Sequence, residues 1–250
     1  MKVIAVNGTS NSGKTTVCEV IIRGLREKGY SVGSVKEIHC PEFSLDPNPA
    51  EDTGRHRSSG SQLVTARAVE ETDVLYQEKL SITEILKHYE HDYVILEGVA
   101  DCNGPRILTA HDADEVEERL DGRVVAVSGV LANSHPEEMM GLPVFHALED
   151  PKALVDFVEA RAFEPLPSFD DDCCTQCGYT CRELTERIAR QEAKREDCVL
   201  QKQSTELLIN GTAIPMVPFV QSILRNAVLG VVRELEGYKE HSSIEVRIKP

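Results

Sequence analysis

Two groups of residues in this chain have types and spacings that could do chemistry. The first is GTSNSGKTT at positions 8–16, which follows G-x-x-x-x-G-K-[ST], a phosphate-binding loop. Glycines at 8 and 13 let the backbone curl until its N–H groups face phosphate oxygens. Lys14 then reaches the β- and γ-phosphates and Thr15 offers a hydroxyl to Mg²⁺. The nucleotide contacts expected from this stretch are Gly8, Asn11, Ser12, Gly13, Lys14, Thr15 and Thr16. The second group is a run of thiols. Of eight cysteines, Cys173, Cys174, Cys177, Cys181 and Cys198 crowd together, and C-x-x-C-G-x-x-C over 174–181 followed by Cys198 supplies four metal ligands. Thiolates suit zinc or a [4Fe–4S] cluster; zinc sites usually use two C-x-x-C knuckles and this segment has one, which favours the cluster. Cys173 could replace Cys174 as a ligand.

Acidic groups complete the first site. DYVILEG at 92–98 is an apolar strand ending in an acid, and Glu97 is placed to hold Mg²⁺ or orient water. DTGRHR at 52–57 offers Asp52 as a magnesium partner and Arg55 or Arg57 as an anion contact; the alternative is a solvated charged loop. Lys14, Asp52 and Glu97 are therefore the catalytic candidates. Cys102 reads as a small apolar filler.

These residues need an α/β frame. The apolar run Val3–Val6 precedes the loop, and Val17, Val20, Ile21 and Leu25 follow at helical spacing, with Gly29 as the stop. Strands are expected near 30–38, 62–69, 74–76, 92–98, 123–128 and 142–145, and helices over 82–90 and 151–161. Such alternation predicts a P-loop NTPase-type, mostly parallel sheet with helices on both faces. Two prolines and Asp170 to Asp172 mark a linker at 163–172, so the nucleotide-binding domain is 1–162. The cysteine segment is 173–200, with a helix over 182–193. Residues 201–250 read as a β-β-α-β tail: a hairpin turning at Asn210 and Gly211, an amphipathic helix over 218–236, and a strand at 244–248. Cysteine segment and tail together make a small α+β domain.

With 250 residues, a formal charge of −15 and a pI near 5.0, the chain lacks the basic surface that nucleic acid or an anionic membrane would demand. No apolar run is long enough to span a bilayer and the first residues enter a core strand directly, so a cytoplasmic protein is expected.

No Asn-Lys-x-Asp element for guanine occurs, so spacing alone does not choose GTP over ATP. GTSNSGKTT, VGSVKEIHC at 32–40, DTGRHRSSGS at 52–61 and VILEGV at 94–99 together resemble the molybdopterin-guanine dinucleotide biosynthesis protein B (MobB) family over about residues 1–162. The resemblance implies a P-loop GTPase-type fold, guanine-nucleotide binding with slow GTP hydrolysis, and assistance in attaching GMP to molybdopterin. It places phosphate contacts on Gly13, Lys14, Thr15 and Thr16, and the acidic ends on Asp52 and Glu97. The expected cofactors are GTP, Mg²⁺ and a [4Fe–4S] cluster. The expected partner is a protein of molybdenum cofactor synthesis or a molybdoenzyme, and a homodimer stays open. Alternatives are a nucleotide-driven metal or cluster inserter, an ATP-driven electron carrier, and a non-catalytic adaptor for a molybdoenzyme or nucleotidyltransferase.

Overall fold

The computed structural model describes residues 1–40, 42–44, 48, 50–134, 136–167, 175–199, 205, 207–209, 212–214, 216, 218–238, 244–246 and 248. Cys173, Cys174, Asp170 to Asp172 and the turn at Asn210 and Gly211 lie outside the described residues. The chain forms two compact units, Met1–Cys173 with Cys181–Arg195, and Cys174–Thr180 with Glu196–Pro250.

The first unit begins with β1 (Lys2–Gly8), whose four consecutive buried residues Val3 to Val6 require cover on both faces. The phosphate loop leads into α1 (Lys14–Glu27), which buries Val17, Ile21 and Leu25 and ends where Gly29 takes φ 92°. Then come β2 (Val32–Lys36), α2 (Asp52–Ser58), β3 (Leu63–Arg67), β4 (Thr72–Tyr76) and α3 (Ile82–Leu86). The chain continues through β5 (Tyr93–Glu97), β6 (Arg106–Thr109), α4 (Ala113–Arg119) and β7 (Val124–Ser128). A 3₁₀ turn (Val130–Ser134), the short pair β8 (Glu138–Met139) and β9 (Leu142–Pro143), α5 (Pro151–Arg161) and α6 (Cys181–Ala189) finish the unit.

The main sheet runs β2-β5-β1-β6-β7 with every pair parallel. Ile4, Val6, Ile95, Ile107 and Ala126 face α1 and α5 on one side. Val3, Ala5, Val94 and Leu96 pack with Ile82 and Leu86 of α3 on the other, where Leu108 and Val127 also meet Val116 of α4. Helices on both faces of a parallel sheet are what the sequence predicted. The chain adds strands on one side of β1, then turns to the other with β6, so the loop after β1 stands at the reversal of strand order where α/β sheets bind ligands.

Four elements of the first unit differ from expectation. The strand β6 and the helix α4 are present although the sequence reading named neither, and 52–57 lies on a helix and not in a loop. The helix expected over 82–90 stops at Leu86, and its remainder runs on in tight i→i+3 turns at Lys87, His88 and Tyr89. The connection from β5 to β6, residues 98–105, carries no helix. Val99 and Cys102 in it are buried against Val3 and Ala5, and its inward carbonyls need donors. Arg106 and Arg123 supply them, both reaching the Ala100 carbonyl, with Arg123 also 3.3 Å from that of Cys102. Asp121 balances the two guanidiniums at 3.1 and 2.7 Å.

The second unit contains the antiparallel pair β10 (Leu208–Ile209) and β11 (Thr212–Ala213), followed by α7 (Pro218–Val232). Gln221 of α7 donates to the Met216 carbonyl at 2.7 Å and fixes the entry to the helix. The strand expected at 244–248 does not form over Ile244 to Val246, and residue 247 lies outside the described residues.

Candidate functional site

The phosphate loop owes its shape to two glycines. Gly13 sits at φ 100°, a conformation side chains resist, and caps α1 with backbone alone. With no capping side chain and no acid in the first turn, the N–H groups at the head of a fourteen-residue helix are left for an anion. Gly129, at φ 87°, lies directly beneath; a Cβ there would stand 2.1 Å from the Ser12 carbonyl oxygen, which instead accepts from the Val130 N–H at 3.0 Å.

Side chains fix the rest of the loop. Ser12 is fully buried, with its hydroxyl 2.8 Å from the Thr9 carbonyl and 2.7 Å from Thr109 Oγ1. Thr109 also donates to the Asn7 carbonyl at 3.2 Å. On the outer side the Thr9 hydroxyl donates to Glu115 Oε2 at 2.8 Å, and the same oxygen accepts the His111 backbone N–H at 2.9 Å. These bonds, His111's foremost and Thr9's next, hold the Glu115 carboxyl below the ordinary range. Lys14 folds over the loop, its ammonium on the carbonyls of Gly8 and Thr9.

Two predicted groups meet at the carboxyl end of β5. The Thr15 hydroxyl donates to Glu97 Oε1 at 2.7 Å. A hydroxyl beside a carboxylate is an all-oxygen donor pair, which fits the hard divalent cation the loop implies. Lys36, which the sequence reading did not single out, joins them: its ammonium lies 2.8 Å from Glu97 Oε1 and 3.3 Å from Thr15 Oγ1. Burial works to raise the Glu97 carboxyl, but the hydrogen bonds from Lys36 and Thr15 outweigh it and leave it below its usual range. Lys36 is raised in return, chiefly by its bond to Glu97. A cavity of about 490 Å³ opens beside these groups, lined by Asn7, Gly8, Lys14, Glu97 and Gly98 and reaching Arg106.

Asp52 opens α2 with its side chain 93% exposed, 3.6 Å from Arg55, and no described contact joins it to Thr15 or Glu97. Arg57 reaches Ser44 Oγ at 3.4 Å. Cys102 is buried, and burial foremost, then the charge of Asp101, pushes its thiol up to about 12, as suits an inert filler. Of the cluster candidates, Cys181 and Cys198 are buried, while Cys177 is half-buried with its thiol 3.4 Å from the Tyr179 carbonyl.

Residues 171–200, which include all four candidate cysteines, match a family model described as "Putative Fe-S cluster". A protein of Methanocaldococcus jannaschii described as "Putative molybdopterin-guanine dinucleotide biosynthesis adapter protein" is 27% identical over 257 residues, spanning 99% of this chain and 97% of the relative. A Bacillus subtilis protein described as "Probable molybdopterin-guanine dinucleotide biosynthesis adapter protein" is 26% identical over 159 residues, 62% of this chain and 90% of that one. Two solved structures of Bacillus subtilis MobB share the fold, with TM-scores of 0.52 and 0.54 at 22% and 24% identity, each covering 65% of this chain and 99% of the other. Residues 3–129, half of the chain, match the model of the molybdopterin guanine dinucleotide synthesis protein B family, and the chain belongs to that family.

Proposed function

We propose that this protein is a guanine-nucleotide-binding accessory protein of molybdopterin guanine dinucleotide synthesis, a slow GTPase that carries an iron–sulfur cluster. The observation that carries the nucleotide part is the juxtaposition of an uncapped helix N-terminus, the Lys14 ammonium and the Thr15–Glu97 pair around one loop. The role in cofactor synthesis rests on the family match and on the names of the two relatives.

On binding, Lys14 exchanges the carbonyls of Gly8 and Thr9 for β- and γ-phosphate oxygens, while the backbone of Gly8, Asn11, Ser12, Gly13 and Thr16 cradles the remainder. Thr15 and Glu97 would hold Mg²⁺, which when bound neutralises charge on the phosphates. Asp52 is a further proposed acidic contact, from its place in the charged segment 52–57. Cys174, Cys177, Cys181 and Cys198 would hold the cluster, for which four thiolates are a fitting donor set. It would serve redox sensing or docking of a partner from cofactor synthesis or a molybdoenzyme. Cytoplasmic residence fits this role, and no helix among the described residues is long and apolar enough to cross a membrane.

Calorimetric titration of anaerobically prepared protein with GTP and then ATP, each with Mg²⁺, tests the reading. Preference for GTP is the expected result; preference for ATP would redirect it to an ATP-driven carrier. Lys14→Ala should weaken nucleotide binding by about a hundredfold or more, since a charge-assisted bond to phosphate is lost. Iron and sulfide analysis tests the cluster, and zinc in place of iron would overturn it.

A further inference from the structure

Lys36 ends β2, and β2 lies beside β5 in a register that pairs Lys36 directly with Glu97. Neighbours in register on adjacent strands project to the same face, so the ammonium is delivered to Glu97 by the backbone itself. There it touches both oxygens that would bind a divalent cation, 2.8 Å from Glu97 Oε1 and 3.3 Å from Thr15 Oγ1. The two partners differ in freedom. Glu97 is 12% exposed and held by the sheet, whereas the Lys36 side chain is 54% exposed on an edge strand, and its four-carbon stem can swing while the strand stays fixed.

We propose that Lys36 is a built-in counter-ion of the metal edge: it closes Thr15 and Glu97 to free divalent cations and leaves them for the terminal phosphate when a metal-bound triphosphate enters. This deepens the nucleotide reading and rests on it. An ammonium and a divalent cation cannot share one carboxylate oxygen at hydrogen-bonding distance without strong repulsion, so occupancy of the edge is exclusive. The phosphates that displace Lys36 also give its charge a new partner within reach of the loop. Metal binding thereby becomes conditional on the nucleotide. A diphosphate, lacking the terminal group, leaves Lys36 on Glu97 and competes for the metal less well.

Binding of Mn²⁺ to the full-length, anaerobically prepared protein without nucleotide, followed by electron paramagnetic resonance of the free ion, tests the proposal. The native protein should bind Mn²⁺ weakly, and Lys36→Met should bind one ion about tenfold or more tightly, because a positive charge beside the site is gone. Lys36→Gln should repeat that gain, while Lys36→Arg, which keeps the charge, should behave as native. Lys36→Met should also lose about tenfold of any preference for GTP over GDP in the presence of Mg²⁺. Unchanged Mn²⁺ affinity in both neutral variants, with GTP binding intact, would overturn the role of Lys36 and leave the nucleotide reading standing. Tightened Mn²⁺ affinity in a protein that binds no GTP would support the counter-ion and overturn the nucleotide reading instead.

Discussion

Two cation–carboxylate groups on the parallel sheet are built from similar parts with different freedom. At the carboxyl ends of β2 and β5, Lys36 and Thr15 share Glu97 beside an open cavity. At the starts of β6 and β7, Arg106 and Arg123 share Asp121, with side chains 11%, 4% and 21% exposed. The sealed group uses guanidiniums, whose planar forks bind a carboxylate and the carbonyls of Ala100 and Cys102 at once. The open group uses an ammonium on a flexible stem. An exposed pair of that kind contributes about 0–1 kcal/mol to folding, so it adds little to the stability of the sheet. Burial makes one group part of the scaffold, and exposure leaves the other exchangeable.

The sharpest separation should come from Asp121→Asn. It leaves two largely buried guanidiniums without their carboxylate, a loss of about 3 kcal/mol by the usual cost of breaking a buried pair. Denaturant unfolding of the first unit should record that drop, while GTP affinity of the folded fraction stays native. A fall in affinity as large as the fall in stability would erase the distinction between the two groups. The pH dependence has a definite sign. Burial tends to raise Asp121, yet bonds from Arg123 and the charge of Arg106 leave it below its ordinary value. Its contribution is therefore complete above the unfolded value of about 3.9 and disappears as pH falls through the lower folded value, so Asp121→Asn and the native protein should converge in strong acid.

What the sequence shows of these two groups follows the distance over which each is assembled. The phosphate loop is contiguous, and Glu97 closes an unmistakable apolar strand, so both are visible without the fold. Lys36 meets Glu97 across 61 residues, and only the placement of β5 between β1 and β2 brings them together. Nothing in VGSVKEIHC announces that neighbour. Thr109 and Glu115 escape for another reason. A four-residue strand and a seven-residue helix are too short for a periodicity to emerge, although Gly104-Pro105 before β6 and Asp112, whose side chain caps α4 through the Glu115 N–H at 3.0 Å, are usable local signals. The stretch from Val99 to Asn103, with Val99, Cys102 and Asn103 buried, looks like an ordinary loop until the two arginines that reach its carbonyls are known. The four-cysteine segment lies between these cases: its spacing is explicit, yet the choice of Cys173 or Cys174 falls on residues outside those described.

Between the sealed and open extremes lies the floor of the phosphate loop, which Thr109→Val probes. The substitution keeps shape and removes the hydroxyl that meets Ser12 at 2.7 Å and the Asn7 carbonyl at 3.2 Å. Ser12 retains the Thr9 carbonyl, so the cost should be about 1–2 kcal/mol of stability, the range for one buried hydrogen bond and a partner left short. Nucleotide affinity should fall along with it, by about three- to tenfold, because the same bond sets the loop's curvature. Urea unfolding and calorimetry on one preparation would show whether both change, and a loss of stability without loss of affinity would assign Thr109 to the scaffold.

The outer wall of the loop should give the smallest effect and the finest discrimination. Glu115 accepts from the Thr9 hydroxyl and from the His111 backbone, while the His111 ring lies 3.1 Å from the same oxygen. Glu115→Gln keeps an acceptor oxygen and removes the charge; Glu115→Ala removes both. If hydrogen bonding alone holds Thr9, the glutamine variant should bind GTP as the native protein does and the alanine variant about two- to threefold more weakly, as expected for a solvent-accessible pair. If the negative charge beside the loop matters in itself, it opposes an incoming polyphosphate, and both variants should then associate faster at low salt, with the difference vanishing as ions screen it. Stopped-flow association of a fluorescent GTP analogue across a salt series separates the two. Equal salt dependence in all three proteins would make the wall a purely local brace, resembling the sealed group more than the open one.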